Sequence, residues 1–330
     1  MTGNVAFGQH SQNVPSSSKD NSDASVVVLV NPAAGGGRAG EALPRLRQFA
    51  TSAGWNAQFQ LTTSAEELAT RANEAATDGA RQLFVLGGDG TFQVLLNAIE
   101  LPNEVAFGIL PAGGGNDLAA SLGLPADPVE SASLLMNGAI DFLDVAEVRT
   151  ADGRKRVYAG GGGVGLDAEA ALYAGKVFRN LRGRSRYLLA AIRALIGFHS
   201  LRVHVRFEPS EGKNLEANVL LLGVLNTPSY GAGLRLAPAA RTNDGCLDLV
   251  ALEDLTFLEI VTVLTSLVAT GELKTRRVRR FPIRWARIET DRPCLFHGDG
   301  EILGWTPVEI TVRPRAVRVV CPGAVAASSM

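Results

Sequence analysis

Short apolar segments that alternate with loops and helix-compatible stretches constrain the fold of this 330-residue chain most strongly. Four such segments lie at residues 26–30, 55–61, 83–86 and 105–110. Strands that alternate with helices form parallel sheets, and ligands of open α/β folds bind at the carboxyl ends of those strands. Glycine loops recur at that end. The sequence therefore predicts an α/β domain with a parallel sheet over residues 25–148.

The second half of the chain has a different pattern. Its predicted strands are separated by turns and lie at residues 157–160, 201–207, 217–225, 247–252, 284–289 and 308–312. Strands at this spacing favour a mainly antiparallel β-sandwich. We assign residues 149–330 to this second domain, and the extreme C-terminal segment is a candidate to return to the first. Residues 1–24, with many Ser, Asn, Gln and Asp residues, are predicted to be a disordered arm.

Charge and cysteine content argue against several classes of protein. The formal net charge is −1, from 32 basic and 33 acidic side chains, which argues against a nucleic-acid partner bound through global charge. The three cysteines are far apart, so neither a disulfide framework nor a zinc site is expected. No signal peptide and no apolar stretch of about 20 residues occurs. A cytoplasmic setting is therefore expected.

The loop Gly87–Thr91 carries the clearest chemical signal. It follows a predicted strand and precedes a helix, so its backbone N–H groups lie near a helix N-terminus, where phosphate binds. Asp89 would repel phosphate unless a cation lies between them, which indicates Mg²⁺. The alternative is a glycine-rich turn in which Asp89 or Thr91 caps the helix.

Two Asp-Gly pairs in the second half are ambiguous. Asp299-Gly300 precedes Glu301, and the pair is typical of a type I′ hairpin turn as well as of a catalytic carboxylate motif. Asp244-Gly245 has the same ambiguity, and there the residues alone favour the hairpin. The glycine run at 160–163 fits either a turn or a loop at a domain cleft.

Taken in order, the loops resemble the motifs of the diacylglycerol kinase catalytic family, which includes soluble bacterial lipid kinases and sphingosine and ceramide kinases. The segments that carry the resemblance are Asn31-Pro32 with Gly35–Gly37, Gly87–Thr91, Pro111–Asp117 and Asp299-Gly300-Glu301. NAD kinases and phosphofructokinases share the second segment alone. The resemblance implies an NAD kinase/phosphofructokinase-like nucleotide-binding domain followed by a lipid-substrate domain.

The resemblance also implies roles for individual residues. Glu301 would be the base that accepts the lipid hydroxyl proton, with Asp144 nearby. A structural Mg²⁺ would be bound by the Asp244 carboxylate and by the backbone carbonyls of Arg241 and Cys246. The residues implied to hold ATP are Asn31, Gly87, Gly88, Asp89, Gly90, Thr91, Gly113, Gly114, Asn116 and Asp117.

The sequence departs from the family pattern at three positions. Gln93 and Val94 stand where relatives carry Asn-Glu, and Gly114 stands where they carry a threonine that contacts ATP. We expect an ATP-dependent lipid kinase that phosphorylates a hydroxyl of a diacylglycerol-like or sphingoid lipid. The alternatives are a catalytically weak binding homologue of the same fold and a soluble-substrate kinase such as an NAD kinase.

Basic clusters at residues 176–186 and 274–280 fit either a solvated face or contact with an anionic membrane. The expected partner is a lipid alcohol at a membrane surface, with peripheral contact at its inner face. The sequence leaves open whether the chain forms a homodimer.

Overall fold

The computed structural model describes residues 26–100, 104–178, 184–196, 198–208, 214–231, 233–270, 273 and 275–323. The predicted N-terminal arm lies outside these residues. Within the described part of the chain, no helix is both long and apolar enough to cross a membrane.

The first half forms a parallel sheet with helices between its strands. The strand order is β2-β1-β3-β4, and each adjacent pair is parallel. Helix α2 begins where the Ser64 side chain accepts a hydrogen bond from the Glu67 N–H, which is the capping box in the sequence. The elements are β1 (Val26–Val30), α1 (Arg38–Ala53), β2 (Ala57–Leu61), α2 (Ala65–Thr77), β3 (Gln82–Gly87), α3 (Asp89–Ala98), β4 (Ala106–Pro111), α4 (Asp117–Ser121) and α5 (Pro128–Leu135).

The second half is dominated by antiparallel pairs. Helices α6 and α7 follow one another after β7, and α8 follows β10. The elements are β5 (Ala139–Thr150), β6 (Lys155–Tyr158), β7 (Gly161–Gly165), α6 (Leu166–Lys176), α7 (Arg184–Leu195), β8 (Leu201–Glu208), β9 (Leu215–Leu225), β10 (Leu247–Glu253), α8 (Phe257–Thr270), β11 (Val278–Ile283), β12 (Trp285–Thr290), β13 (Leu295–Gly298), β14 (Glu301–Trp305) and β15 (Val308–Cys321). The predicted fold class, a parallel α/β half followed by a mainly antiparallel half, is confirmed.

Strand β15 joins the two halves. It pairs antiparallel with β12 and β5, and its end pairs parallel with β4 of the first half. The result is one hydrogen-bonded network of 15 strands. Val317, Val319 and Val320 of β15 are buried in the core of the first half. The C-terminal strand therefore holds the two halves in one arrangement.

The glycine run at 160–163 does not form a simple turn. Gly161–Gly165 is the buried strand β7, which pairs with β9 and β13. A Cβ on Gly162 would lie 2.4 Å from the His297 carbonyl oxygen, and one on Gly163 would lie 2.5 Å from the Leu222 carbonyl oxygen. The glycines are required because neighbouring backbone lies too close for any side chain.

Candidate active site

A cavity of about 520 Å³ lies where the glycine loops of the first half face the second half. Asp299, Gly300 and Glu301 lie on its wall, and leucine side chains form much of the remainder. Of the ten residues predicted to hold ATP, eight line it: Asn31, Gly88, Asp89, Gly90, Thr91, Gly113, Gly114 and Asp117. The cavity thus combines a glycine-rich polar end with an apolar end.

The loop Gly87–Thr91 leads directly into α3. Gly88 is extended, with φ −112°, and its carbonyl accepts hydrogen bonds from Thr91 N–H at 2.9 Å and Phe92 N–H at 3.1 Å. The first turn of a helix has N–H groups without intrahelical partners, so this end of the cavity suits an anion. Gly87, the first residue of this loop, does not line the cavity. A Cβ on Gly87 would meet Thr91 Oγ1 at 2.4 Å.

Gly88 and Gly113 bring two loops into backbone contact. A Cβ on Gly88 would lie 2.7 Å from the Gly113 Cα, and one on Gly113 would lie 2.4 Å from the Gly88 Cα. The Arg38 guanidinium donates to the carbonyl oxygens of Gly35 and Gly113. The glycines therefore pack the three loops against one another, in addition to any ligand they hold.

Asn116 shapes its own loop. It adopts φ 60°, a left-handed conformation that asparagine tolerates, and its Oδ1 accepts a hydrogen bond from Gly113 N–H at 2.8 Å. Its side chain is absent from the described cavity wall. The structure therefore gives Asn116 a role in folding the loop, and contact with ATP stays a prediction.

Asp89 links the loop Gly87–Thr91 to α4. Its carboxylate accepts hydrogen bonds from the N–H groups of Asp117 and Leu118, both at 3.2 Å. Burial, followed by the nearby carboxylates of Asp117 and Asp299, raises the pKa of Asp89 from 3.8 to about 7. A cation at this end of the cavity would favour the ionised form.

Asp117 connects the first half to the second. Its Oδ1 accepts hydrogen bonds from the Ser229 hydroxyl at 2.9 Å and from Gly233 N–H at 2.8 Å. The side chain is buried, and Ser229 also lines the cavity. Asp117 therefore positions the segment after β9 against the glycine-rich loops.

The Asp299-Gly300 pair forms the hairpin turn that the sequence indicated, and the catalytic role of the motif stays a prediction. The two residues have φ 49° and 85° and join β13 to β14 in a tight hairpin. The Asp299 carboxylate accepts three hydrogen bonds, from Ala159 N–H at 2.9 Å and from Gly160 and Gly161 N–H at 3.0 Å. The turn is thereby anchored, and it places Glu301 at the first position of β14.

Glu301 lies on the cavity wall with its side chain accessible to solvent. Enough protein surrounds the carboxylate that desolvation raises its pKa, and the charge of Asp299 adds to the shift. Arg156 acts in the opposite direction. A raised pKa makes the carboxylate a better proton acceptor, as a general base requires.

Three residues that the sequence did not connect form a hydrogen-bonded group that includes His297, on the strand paired with the strand of Glu301. His297 is fully buried, and its Nε2 lies 3.1 Å from Asp167 Oδ2 and 2.8 Å from the Tyr230 hydroxyl. Asp167 and Tyr230 both line the cavity. The group is assembled from β13, α6 and the segment after β9, so no local pattern could have indicated it.

Asp144 is not on the described cavity wall. It is fully buried, and its carboxylate accepts hydrogen bonds from Gly245 N–H and Arg315 N–H, both at 2.6 Å. Its own N–H donates to the Thr242 carbonyl at 2.7 Å. The structure thus places Asp144 against the segment that contains the predicted metal ligands and against a bulge in β15.

The segment from Arg241 to Cys246 offers oxygen donors. Asp244 Oδ1 accepts a hydrogen bond from Cys246 N–H at 3.0 Å. Burial, with Asp244 nearby, raises the pKa of Asp248 to about 6. Among the described residues, no group of three or more His, Cys, Asp and Glu side chains could hold a metal ion. Backbone carbonyls would have to complete the site, a donor set that suits Mg²⁺.

Two family models match this chain. Residues 25–148 match the diacylglycerol kinase catalytic domain, and residues 160–321 match the YegS C-terminal NAD kinase beta sandwich-like domain. The chain belongs to the diacylglycerol kinase family. It is therefore a lipid kinase, an enzyme that uses an alcohol group as phosphate acceptor.

Curated relatives of this lipid kinase cover most of its length. The diacylglycerol kinase of Bacillus subtilis is 25% identical over 297 residues, which are 89% of this chain and 95% of that protein. A Pseudomonas fluorescens protein named "Probable lipid kinase YegS-like" is 29% identical over 82% of this chain and 87% of its own. The crystal structure of a diacylglycerol kinase from Bacillus anthracis has a TM-score of 0.69 at 19% identity, covering 91% of this chain and 97% of that one. At this identity the structural likeness concerns the fold alone.

Proposed function

We propose that this lipid kinase transfers the γ-phosphate of ATP to a hydroxyl of a diacylglycerol-like or sphingoid lipid. One observation carries the proposal: a single cavity joins a glycine-rich, helix-terminated end to an apolar end, with Glu301 on the wall. The apolar lining includes Leu166, Leu220, Leu221, Leu234, Leu236, Leu252, Leu255, Ile260, Val263 and Leu273. Such a wall suits acyl or alkyl chains.

The apolar end also separates the proposal from its alternatives. A soluble-substrate kinase such as an NAD kinase has no use for this many aliphatic side chains beside its phosphate loops. The departure at Gln93 does not require a catalytically weak homologue. The Gln93 Nε2 and the Asn97 Nδ2 each donate to the Val157 carbonyl at 2.8 Å, so Gln93 holds α3 against β6.

The chain's own groups suit an in-line phosphoryl transfer. The loops at Gly88–Thr91 and Gly113–Asp117 would hold the ATP phosphates by backbone N–H groups. The lipid hydroxyl oxygen would bond to the γ-phosphorus as the bond to the bridging oxygen of ADP breaks. The hydroxyl proton would pass to the Glu301 carboxylate.

Magnesium fits the chemistry of the nucleotide end. Asp89, Asp117 and Asp299 lie close enough for the last two to raise the pKa of Asp89, and such crowding is relieved by a divalent cation. Mg²⁺ bound there with ATP would neutralise developing charge on the phosphates. We further propose that Asp244, with the carbonyls of Arg241 and Cys246, holds a second Mg²⁺ that stabilises the fold.

Substitution of Glu301→Gln tests the proposal. The amide keeps the shape but accepts a proton poorly, so kcat should fall by about 10²-fold or more while the KM for ATP stays nearly constant. Phosphate transfer is measured in detergent micelles with diacylglycerol, phosphatidylglycerol, sphingosine and ceramide. Glu74→Gln, at an exposed position of α2, is the matched control. Near-normal turnover of Glu301→Gln would exclude this base, and transfer only to NAD would exclude the lipid substrate.

A further inference from the structure

A buried histidine fixes one carboxylate of the cavity wall. His297 on β13 is fully buried, and its Nε2 lies 3.1 Å from Asp167 Oδ2 and 2.8 Å from the Tyr230 hydroxyl oxygen. Because a carboxylate accepts and does not donate, Nε2 carries a hydrogen atom that Asp167 and Tyr230 share. The Tyr230 ring stacks on the imidazole with 5.5 Å between the ring centres. The imidazole is thereby held in place and holds Asp167 in turn.

Asp167 is also constrained from its own side. It is the second residue of α6, and its Oδ1 accepts a hydrogen bond from Ala168 N–H at 2.9 Å. A Cβ on Gly163 of β7 would lie 2.5 Å from Asp167 Oδ2, so glycine at that position leaves room for the carboxylate. The Asp167 side chain is 8% exposed, and Asp167 lines the cavity. The cavity therefore contains a carboxylate that is fixed before any ligand binds.

This carboxylate lies on the same wall as the proposed base. Glu301 begins β14 and pairs with Gly298 of β13, and α6 packs against both strands. Burial, followed by the charges of Asp299 and Asp167, raises the pKa of Tyr158, so both carboxylates lie within electrostatic range of one buried hydroxyl. A lipid whose hydroxyl reaches Glu301 therefore brings the neighbouring atoms of its headgroup toward Asp167.

The chemistry of a carboxylate indicates what those neighbouring atoms are. A carboxylate accepts hydrogen bonds, so it selects for a donor on the substrate. A diacylglycerol carries one hydroxyl, which reacts, and the ester oxygens beside it would face Asp167 without a hydrogen bond. Mg²⁺ is the weaker occupant, because the imidazole already donates to one carboxylate oxygen. Among the described residues, Asp167 also belongs to no group of three or more side chains that could hold a metal ion.

We propose that Asp167, positioned by His297, binds a hydrogen-bond donor next to the reacting hydroxyl, so that the preferred substrate is a lipid with a vicinal diol or amino alcohol. The inference rests on the proposed function and narrows its substrate. His297 is a positioning residue, because it is fully buried and acts through Asp167. The required donor lies on the carbon next to the reacting one. A monoacylglycerol supplies it as a hydroxyl, and a sphingoid base supplies it as an ammonium group.

Substrate selectivity tests this subsite. Values of kcat/KM are measured in detergent micelles for monooleoylglycerol, sphingosine and dioleoylglycerol, and the original protein should favour the first two. Asp167→Asn keeps the shape but removes the charge and one acceptor oxygen. Its kcat/KM for the two donor-bearing lipids should fall about tenfold or more. For dioleoylglycerol it should stay constant or rise, because the new amide can donate to an ester oxygen. Asp78→Asn, the same change at an exposed residue after α2, is the control.

Variants of His297 separate positioning from folding. His297→Leu removes the donor and should reduce the preference for donor-bearing lipids about fivefold. His297→Gln, whose amide can donate to Asp167, should retain most of that preference. Thermal unfolding of both variants is measured in parallel. A purely structural role would lower stability and all three kcat/KM values together, and that result would overturn the positioning role.

Two results would overturn the subsite itself. One is a preference of the original protein for dioleoylglycerol, and the other is an unchanged ratio of kcat/KM values in Asp167→Asn. If the original protein phosphorylates none of the three lipids, the proposed function fails and binding decides the subsite. Calorimetry with monooctanoylglycerol and dihexanoylglycerol then supplies the readout. Weaker binding of monooctanoylglycerol alone to Asp167→Asn would support the subsite, and equal binding by both proteins would overturn it.

Discussion

The glycines at the glycine-rich end of the cavity differ in how closely other atoms approach them. The Cβ of an alanine at position 88 would press on the Gly113 backbone at 2.7 Å, whereas one at position 90 would meet nothing within 4 Å. Both residues line the cavity. The resemblance implied that Gly88 holds ATP, and the structure adds a neighbouring loop that occupies the space a side chain at position 88 would need.

Alanine at these two glycines should therefore have opposite effects on stability. Gly88→Ala should destabilise the protein by about 1–3 kcal/mol through overpacking. Gly90→Ala should leave stability unchanged or slightly higher, because alanine favours a helix, while its methyl group raises the KM for ATP. Thermal unfolding and ATP kinetics of both variants check this. Equal stability of the two would contradict the packing of the loops.

Gly114→Thr should improve ATP binding. Gly114 is not among the described glycines with positive φ, so a threonine there would not be forced into the left-handed region. One neutral hydrogen bond to phosphate is worth about 0.5–1.5 kcal/mol, so the KM for ATP should fall by roughly two- to tenfold. A stable variant whose KM is unchanged or higher would show that this position does not correspond to the family's threonine.

At the scale of secondary-structure elements, the β13–β14 hairpin is held by more than its turn. The Asp299 carboxylate accepts from three consecutive N–H groups between the end of β6 and the first residue of β7. Helix α3 is joined to β6 through Gln93 and Asn97. Hydrogen bonds at both ends of the backbone segment 157–161 therefore connect α3 to the hairpin that carries Glu301. In the proposed mechanism, the distance between ATP and Glu301 would depend on this connection.

Asp299→Asn should disturb the position of Glu301 more than it disturbs the glycine-rich loops, where it removes one of the two charges that raise the pKa of Asp89. One oxygen becomes an NH₂ group that cannot accept, so at least one buried N–H loses its partner at a cost of about 1–3 kcal/mol. We expect a lower melting temperature and a lower kcat, with a KM for ATP close to that of the original protein. Asp291→Asn, in an exposed loop between β12 and β13, is the control. A large rise in the KM for ATP would place Asp299 in nucleotide binding instead.

At the scale of the whole molecule, carboxylates from both halves meet at the cavity. Asp89 and Asp117 come from the first half and Asp299 from the second, and the last two raise the pKa of the first. Strand β15 holds the halves together, so the carboxylates cannot separate to relieve their repulsion. The repulsion among these carboxylates should therefore make the stability of the protein depend on pH.

Asp89 should destabilise the ligand-free protein as the pH rises. The pKa of Asp89 is about 7 in the folded state and 3.8 ordinarily, so the folded protein holds this proton more tightly than the unfolded chain does. The resulting contribution to folding stability is fully present below about pH 4 and is lost as the pH rises through 7. Between pH 6 and pH 8 the melting temperature should fall more for the original protein than for Asp89→Asn. Exposed Asp78→Asn should follow the original protein. Parallel curves for all three would contradict the raised pKa.

Much of the fold could be predicted because its signals are local. The buried strands of the first half and the Ser64 capping box are encoded by consecutive residues, and each appears in the structure. The resemblance of the loops also led to eight residues that line the cavity. Their contact with ATP stays a prediction, because the structure shows placement and no ligand.

The remainder depends on contacts between distant segments. His297 contacts Asp167 and Tyr230, which lie 130 and 67 residues away in the sequence. Asp144 does not line the cavity and instead accepts hydrogen bonds from Gly245 N–H and Arg315 N–H. Pairing of β15 with β4 likewise joins the C-terminal strand to the first half of the chain. By itself the sequence determined the four strands of the first half, the loops at their ends and the family, since hydrophobic periodicity and turn chemistry act over a few residues. The tertiary structure alone decided which carboxylates crowd, which glycines face backbone and where the apolar wall lies, because burial and electrostatic coupling arise only when remote segments pack together.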